Sequence, residues 1–474
     1  MSNGGSAGKP RRQPDPRAHA SQSAEAFHHA RFTLADGTIL TTTETIQVYP
    51  GKRVLVHGRL DGRHVVAKFY IGRIRGWWEW HRGLRGARAL MTAGVPTASI
   101  AHTGFVAAAN AWLAVIDFIQ ADRPWPPSRS PGHTGDDEDP SELEWHRAHR
   151  IMLATLAQHH EHGLVQNDLN WTNFIPRGQQ LYSIDGDRVR RHAAPLAVDP
   201  SLRNLCRFYA YKSDFPLAEV CWGYQTYCAH RGWESFDWPR FRAMVVAARR
   251  RIADRFVERS LRGWKYFRRE RAGGCIIIRD RRRLSASGLK PMLHVCKHAA
   301  PSTDGTIRTV GEHAFRIRAL QHPGQARHAW RRALLLRRLR IPAELPAALI
   351  EHRGLPWRRR GCLVTRARLM TPLPGALPGL DPETAAQALD QLGRIVGLLS
   401  QVDLALDEPD PERFGFDRGT IVLRSPECVV RKANQPRAPA EFLAVLATRI
   451  EATCHLPGAD IASALRAGMD AGST

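Results

Sequence analysis

Three polar side chains between residues 166 and 187 have the types and the order that phosphoryl transfer requires. Asn173 follows Asp168 by five residues, and a short apolar hairpin then leads to Asp185. A carboxylate can orient or deprotonate an attacking hydroxyl, while an amide oxygen and a second carboxylate suit Mg2+, which prefers hard oxygen ligands and keeps several waters. The segment therefore predicts Asp168 as a catalytic base, with Asn173 and Asp185 as metal ligands.

The same residue types are also common in turns, where Asp, Asn and Gly form local hydrogen bonds with the backbone. Each half of the motif on its own is more typical of turn chemistry than of a site. The joint order of the two halves favours a site, because a suitable lysine also lies upstream.

That lysine is Lys68, in the segment His-Val-Val-Ala-Lys-Phe-Tyr. The β-branched and aromatic neighbours predict a strand, and Asp61-Gly62 before it predicts a hairpin turn. A lysine on such a strand reaches the α and β phosphates of a nucleotide when a helix carboxylate holds it. The alternative is a surface lysine on an edge strand.

The residues after Lys68 predict the helix that should supply this carboxylate. Apolar residues recur at helical spacing up to a stop at Gly94 and Pro96. Gly83 stands where the acidic partner is expected, so the single acid of the segment, Glu79, is the candidate nucleotide-site partner of Lys68. The segment 49–53, where a phosphate loop is expected, holds one glycine, and it does not strongly predict a backbone cradle for phosphate.

Four motifs carry a resemblance to a known family. Asp-Leu-Asn-Trp-Thr-Asn-Phe at 168–174 and Ile-Asp-Gly-Asp-Arg at 184–188 are the specific ones, joined by Val-Ala-Lys-Phe-Tyr around Lys68 and Ala-Gly-Val-Pro-Thr at 93–97. On these motifs residues 27–235 resemble the lipopolysaccharide core kinase family, the Kdo/heptose kinases. The resemblance implies an α+β, protein-kinase-like bilobal fold with ATP and Mg2+ as cofactors.

The resemblance also implies an activity, transfer of the γ-phosphoryl group of ATP to inner-core sugars at the cytoplasmic face of the inner membrane. Carried over by residue, Asp168 is the base, Asn173 and Asp185 hold Mg2+, and Lys68 contacts the phosphates. Gln166 and Asn167 replace the usual His-Arg before Asp168. These departures leave a second interpretation open, a catalytically weak or inactive pseudokinase or scaffold in core assembly. An aminoglycoside-type or protein kinase would share the site and differ in its acceptor.

A weak internal repeat predicts a second domain. Residues 314–345 repeat the order of strand, Trp-containing basic helix and Ile-Pro stop, with Arg318 at the place of Lys68. No Asp-Leu-x-x-x-Asn motif follows, and Arg431-Lys432 lie near the place of the metal-binding Asp. The sequence thus predicts a disordered basic tail at 1–26, a kinase-like domain at 27–272, and a degenerate, pseudokinase-like domain at 273–474 that braces the first or docks a partner. The alternative for 273–474 is a different α+β domain altogether.

Charge and composition narrow the partners. The 474 residues are 43% hydrophobic, contain no apolar run long enough to span a membrane, and carry a net charge of +24. Such a charge favours an anionic partner, here a lipid-linked core oligosaccharide or the anionic inner-membrane surface, with other core-biosynthesis proteins as further candidates. Nucleic acid is disfavoured, because charge alone supports it and no recognised binding module is present. A cytoplasmic protein peripheral to the inner membrane is expected.

The densest basic segment, residues 240–271, predicts an amphipathic helix. It could lie on the inner leaflet, or pack on its own domain with a solvated arginine face. The Pro-, Gly- and acid-rich segment 124–144 predicts a mobile surface loop. His159, His160 and His162 are interpreted as packing residues, and the eight scattered cysteines as reduced thiols.

Overall fold

The chain forms two compact units of α+β structure. The computed structural model describes residues 25–127, 140–211, 215–234, 236–298, 305–310, 312–352, 360–367, 370–432, 437–454 and 460–473. The first unit runs to Phe208 and includes Gly223–Phe236; the second comprises Tyr209–Trp222 and Asp237–Thr474. The predicted tail at 1–26 and loop at 124–144 fall largely outside the described residues.

An antiparallel sheet of six strands forms the beginning of the first unit. Its order is β1-β2-β3-β4-β6-β5. The strands are β1 (Arg31–Thr33), β2 (Ile39–Tyr49), β3 (Arg53–Leu60), β4 (Arg63–Ile71), β5 (Ile100–Val106) and β6 (Ala111–Asp117). Alternating residues of β3 and β4 are buried, because successive side chains of a strand point to opposite faces. One face of the sheet therefore builds a core around Val54, Val56, Val65, Ala67 and Phe69.

Helix α1 (Ile74–Thr92) connects β4 to β5, as the sequence predicts. After β6 come α2 (Pro140–Glu161), the paired strands β7 (Leu164–Gln166) and β10 (Val189–Arg191), and the hairpin of β8 (Phe174–Arg177) and β9 (Gln180–Ser183). Helices α3 (Val198–Tyr211) and α4 (Leu217–His230) follow. The described part of this unit thus combines a curled antiparallel sheet with a helical part, which fits a kinase-like fold.

The second unit has its own six-stranded sheet, in the order β11-β12-β15-β16-β14-β13. Its strands are β11 (Phe267–Ala272), β12 (Cys275–Asp280), β13 (Thr306–Val310), β14 (His313–Leu320), β15 (Leu345–His352) and β16 (Gly361–Arg366). The short strands are β17 (Thr371–Pro372), β18 (Leu404–Leu406), β19 (Phe414–Asp417), β20 (Thr420–Leu423) and β21 (Val429–Arg431). The helices are α5 (Trp238–Arg262), α6 (Ala286–His298), α7 (Pro323–Arg338), α8 (Leu373–Ala376), α9 (Pro382–Gln401), α10 (Pro439–Cys454) and α11 (Ile461–Ser473).

The basic segment at 240–271 divides into helix α5 and strand β11, and the apolar stripe of α5 is buried. Phe241, Val245, Ala253 and Val257 are at most 4% exposed. Arg249 is buried as well and donates to the carbonyl oxygen of Phe215 over 2.7 Å. The stripe therefore packs within the protein and is not available for insertion into a lipid leaflet. Among the described residues, no helix is long and apolar enough to cross a bilayer.

Candidate active site

The segment after β7 forms a tight loop that fixes Asp168 and Asn173 relative to each other. A 3-10 helix, Trp171–Asn173, follows the loop, and the Trp171 side chain is fully buried as its anchor. The Asn173 Nδ2 group donates to the Asp168 carbonyl oxygen over 2.9 Å. Because the amide nitrogen is used in this way, the amide oxygen is the group that can ligate a cation.

Gln166 links the two halves of the motif. Its side chain is buried, its Nε2 donates to the Asp185 carbonyl oxygen over 2.9 Å, and its Oε1 accepts from the Asp168 backbone N–H at 3.2 Å. The backbone N–H of Ile184 adds a bond of 3.0 Å to the Asn173 carbonyl oxygen. The glutamine that departs from the family pattern thus holds Asp168 and Asp185 in register.

Strand β4 places Lys68 beside the same segment. The Lys68 Nζ atom lies 3.6 Å from Asp185 Oδ1 and donates to the Ile184 carbonyl oxygen over 3.1 Å. Its neighbours in the sheet are Leu55 on β3 and Ala114 on β6, so the lysine sits on a central strand and not at an edge. The alternative of a surface lysine on an edge strand is therefore excluded.

A cleft of about 520 Å³ brings the predicted residues together. Lys68, Asp168, Asn173 and Asp185 all line it. The apolar part of its wall is formed by Leu55, Val66, Ala98, Ile116, Ile175 and Ile184. One cleft therefore offers an apolar surface suited to a planar ring beside a group of cationic, carboxylate and amide side chains.

Glu79 is not brought to Lys68. Its carboxylate lies 3.6 Å from Nε of Arg75, one turn earlier on α1. Among the described residues, Arg75 is the ion-pair partner of Glu79. At the point where α1 faces the site it carries Gly83, and a Cβ built there would lie 2.5 Å from Asp187 Oδ1 and 2.9 Å from the Tyr70 hydroxyl. Because Gly83 has no side chain, the carboxylate of Asp187 can lie against α1 at this point.

That carboxylate, Asp187, belongs to a buried polar cluster. It forms an ion pair with Arg53 at the start of β3, and it accepts a hydrogen bond from the Tyr70 hydroxyl at 3.2 Å. Close approach of the two segments requires Gly86 as well, because a Cβ there would lie 1.9 Å from the Gly186 carbonyl oxygen. Arg53 also lines the cleft. Asp187 thus takes the space that a helix glutamate was expected to fill, and it pairs with an arginine.

Burial and charge shift the pKa values in this cluster. Burial raises the pKa of Asp187, and neighbouring Asp185 raises it further, against the effects of Lys68 and Arg53. Burial also raises the pKa of Tyr70, so its hydroxyl stays a hydrogen-bond donor. For Arg53 burial acts the other way, but Asp187, Tyr70 and Asp185 outweigh it and raise the pKa of the guanidinium. Arg53 is therefore a fixed positive charge at the cleft.

His159 and His160 of α2 are packing residues, as the sequence suggests, whereas His162, which was interpreted in the same way, is exposed. His160 Nδ1 lies 2.6 Å from the Tyr227 hydroxyl and its Nε2 lies 3.0 Å from Asn204 Oδ1. His159 Nε2 lies 3.2 Å from the Ser183 hydroxyl. Burial lowers the pKa of His159 to about 3 and that of His160 to about 4, so both rings are neutral near pH 7. Through these contacts the two histidines support β9 and the loop that carries Asp168.

The donor set fits ATP with Mg2+. Asn173 offers an amide oxygen and Asp185 a carboxylate in the same cleft, which is the hard-oxygen set that Mg2+ uses alongside phosphate and water. The motif Ile-Asp-Gly-Asp-Arg at 184–188 contains Asp187, but the sequence did not predict the pairing of this residue with Arg53. Glycines at 83, 86 and 186 were the available signal, since small residues permit close backbone approach.

Comparisons with known proteins add little to these observations. No family model matches the sequence, and no curated protein matches it. Among solved structures, WaaP in complex with acyl carrier protein matches at 18% identity, with a TM-score of 0.29, over 51% of this chain and 96% of that one. A protein described as a putative aminoglycoside phosphotransferase, from Ralstonia eutropha, matches at 12% identity, with a TM-score of 0.35, over 52% and 89%.

The PknI kinase domain of Mycobacterium tuberculosis matches at 13% identity, with a TM-score of 0.24, over 36% of this chain and 69% of that one. Similarities at this level do not identify a substrate. The interpretation of the site therefore depends on the strand order and on the cleft itself.

Proposed function

We propose that the first unit is an ATP-dependent phosphotransferase acting on a sugar hydroxyl of the lipopolysaccharide inner core, heptose or Kdo. The observation that carries the proposal is the cleft that unites Lys68, Asp168, Asn173 and Asp185 beside an apolar wall. Phosphoryl transfer needs positioning and charge neutralisation more than covalent chemistry, and these side chains supply both.

Each side chain has one task in the proposed mechanism. Asp168 orients the acceptor hydroxyl and takes its proton. Asn173 and Asp185 hold Mg2+, which neutralises phosphate charge when it is bound. Lys68, whose Nζ lies 3.6 Å from Asp185 Oδ1, contacts the phosphates. Arg53 is held by Asp187 and adds a second cation at the cleft. This cation is useful because the segment 49–53, with its single glycine, does not strongly predict a backbone cradle for phosphate.

The choice of acceptor is supported by the sequence motifs and by charge. The motifs at 168–174 and 184–188 resemble those of the lipopolysaccharide core kinases, and a net charge of +24 suits a phosphorylated, lipid-linked oligosaccharide. The proposal places the protein in the cytoplasm, peripheral to the inner membrane. Since the apolar stripe of α5 is buried, attraction to anionic lipid would come from exposed basic side chains.

A binding and transfer experiment tests this proposal. Unfolding of wild type and of Asp185→Ala is followed with and without Mg-ATP, and phosphate on core sugars from a deletion strain is examined by 31P spectroscopy. We expect Mg-ATP to stabilise the wild type and not the variant. Loss of a core phosphate in the deletion strain would identify the acceptor class. No stabilisation of the wild type would overturn the enzyme proposal.

A pseudokinase or scaffold in core assembly is the second candidate, favoured by one observation. Lys68 lacks an ion pair with Glu79, which pairs with Arg75 instead. Binding of Mg-ATP without measurable phosphate transfer to any core fraction would select this candidate.

We further propose that the second unit is a catalytically silent kinase-like copy. The support is topological. The order β13-β14-β16-β15 in its sheet parallels β3-β4-β6-β5, and in each case a helix follows the second strand named. A parallel bridge, Ala343 to Leu423, also matches the bridge from Thr97 to Ser183. A limited-proteolysis fragment that starts near Asp237, keeps strand β11 and folds by itself would support an independent second unit.

A further inference from the structure

The second unit has a polar cavity of about 390 Å³ that the proposed function does not use. Four arginines line it, together with carboxylates that include Glu344 and Glu427; the arginines are Arg316, Arg318, Arg413 and Arg424. The cavity lies between the sheet and the hairpin of this unit, because Arg318 is on β14 and Arg424 directly follows β20.

Arg318 is the decisive residue because it is buried with unused donors. The residue is 3% exposed, and its Nη1 donates to Glu427 Oε1 over 2.5 Å. Its Nε and Nη2 atoms are buried and have no hydrogen-bond partner among the described residues, and the same holds for Arg424 Nε. The chain also closes over the Arg318 stem, because a Cβ on Gly305 would lie 2.7 Å from Arg318 Cγ. The guanidinium is therefore held in place and cannot turn out to water.

Unpaired donors of this kind are costly. A buried charged group that lacks hydrogen-bond partners loses its hydration and gains nothing in return. Arg318 and Arg424 both line the cavity, and an acceptor that binds there would supply a partner for their unused N–H groups. Guanidinium groups match the oxygens of phosphate in geometry and charge, and they are weakly hydrated compared with ammonium groups.

Arg316 and Arg413 are paired with carboxylates, as Arg318 is with Glu427, and they shape the cavity. Arg316 pairs with Glu344 at 3.1 Å, and both side chains are at most 10% exposed. Arg413 pairs with Asp407 at 2.8 Å and with Asp410 at 3.4 Å.

The residues that would hold a metal ion in the first unit are replaced in the second. Relative to the first unit, corresponding secondary-structure elements recur at a constant interval of 240 residues: Leu164 to Leu404, Phe174 to Phe414, and Gln180 to Thr420. In this register Arg413 stands at the place of Asn173, and Ser425 at that of Asp185. Both proposed metal ligands are thus changed, one of them to a cation, which disfavours a metal ion at this cavity.

We propose that this cavity is a metal-independent binding site for a phosphate-bearing ligand, with Arg318 and Arg424 as the phosphate-binding residues. The ligand phosphate accepts the unused N–H groups, and the Ser425 side chain lines the same cavity as a further donor. A free phosphate ion and a phosphorylated sugar share this chemistry.

The test uses the full-length chain in EDTA and titration calorimetry with two probes, inorganic phosphate and glucose 6-phosphate. Metal-free binding is expected with wild type and also with Lys68→Met, in which the proposed phosphate contact of the first unit is removed. Arg318→Met, which keeps the length of the stem, is expected to weaken binding about 10- to 100-fold. Arg394→Gln, a change at an exposed helix position outside the cavity, should leave it unchanged.

The outcomes separate the sources of the phosphate and the location of the site. Tighter binding of glucose 6-phosphate assigns the cavity to phosphorylated sugars, and equal binding assigns it to the phosphate group alone. Equal binding by wild type and Arg318→Met would overturn the proposal, as would loss of binding in Lys68→Met alone. If Arg318→Met fails to fold, Arg424→Met takes its place, and unchanged binding in that variant would overturn the proposal in the same way. Binding of succinate as strong as that of phosphate would also overturn it.

Discussion

The sheets of the two units share one order of four strands, but the side chains that line their two clefts differ in chemistry. The order β3-β4-β6-β5 in the first sheet corresponds to β13-β14-β16-β15 in the second. Later in each unit, two short paired strands and a hairpin recur at an interval of 240 residues. The first cleft presents a lysine with carboxylates and an amide, whereas the second presents four arginines among carboxylates. The scaffold depends on buried apolar strands and turns, and the chemistry depends on a few side chains at their ends.

Individual positions show how small the difference is. Glu408 stands at the place of Asp168, Arg413 at that of Asn173, and Ser425 at that of Asp185. Glu427 stands at the place of Asp187, and each of these two acids pairs with an arginine of its own unit. The carboxylate that follows the hairpin is thus common to both units, while the proposed base and metal ligands are present only in the first.

The largest expected effect separates the two clefts by activity. Asp185→Ala should lower kcat for phosphate transfer at least about 10³-fold, because it removes a proposed metal ligand from a charge-neutralising site. Ser425→Ala, the matched change in the second cleft, should retain kcat within about twofold. Release of ADP in a coupled assay measures both. Similar losses in the two variants would contradict the division of roles.

The next comparison concerns the cations on the corresponding strands. Lys68→Met should lower kcat/KM for ATP about 10²- to 10³-fold, since it removes a positioned charge from the phosphates. Arg318→Met should leave the same parameter unchanged. Steady-state kinetics with varied ATP would reveal the difference, and a large effect of Arg318→Met would show that the second cleft takes part in transfer.

Acid should destabilise the first unit through its buried histidines. His159 and His160 have pKa values lowered to about 3 and about 4, so the unfolded chain binds two protons near pH 6 that the folded chain excludes. The stability is present above about pH 6.5 and falls by roughly 2.7 kcal/mol per pH unit between about pH 6 and 4.

The second unit carries Leu399 and Ser400 at the corresponding positions of α9. His159→Leu should therefore halve the pH slope of the unfolding free energy of the first unit. Urea unfolding at several pH values, followed by tryptophan fluorescence, measures that slope. An unchanged slope in the variant would show that other groups control acid sensitivity.

The smallest effect probes the helix next to each cleft. Gly83→Ala should destabilise the first unit by about 1–3 kcal/mol, because its Cβ would overlap Asp187 and Tyr70. Gly324, in the helix of the second unit, has open space around it, so Gly324→Ala should be neutral or stabilise by about 0.5–1 kcal/mol. Thermal unfolding of the two variants measures both. Equal shifts would show that the close contact at Gly83 yields without cost.

Much of the fold could be predicted from periodicity and turn residues. The strand around Lys68 and the helix before Gly94 are both confirmed, because alternation and glycine or proline stops depend on local physics. The Pro- and Gly-rich segment 372–380 contains a short helix and a 3-10 turn. Its prolines occupy first-turn positions, where they are compatible with helix.

The sites were harder to predict, since they depend on pairing across the chain. The spacing of Asp168, Asn173 and Asp185 could be recognised because these residues flank one short hairpin. The partnership of Arg53 and Asp187 spans residues far apart in sequence, and it follows from the absence of a side chain at Gly83. At the interval of 240 residues Ser425, and not Arg431-Lys432, corresponds to Asp185, the proposed metal ligand, because Arg431 belongs to β21.

The constant interval between the two hairpin regions has a consequence for protein engineering and for evolution. Because no loop differs in length there, Glu408→Asp, Arg413→Asn and Ser425→Asp would install the proposed base and metal ligands in the second unit without any insertion or deletion. Point mutations alone would thus interconvert the proposed metal-binding cleft and the proposed phosphate-binding cleft, and selection could follow that route in either direction.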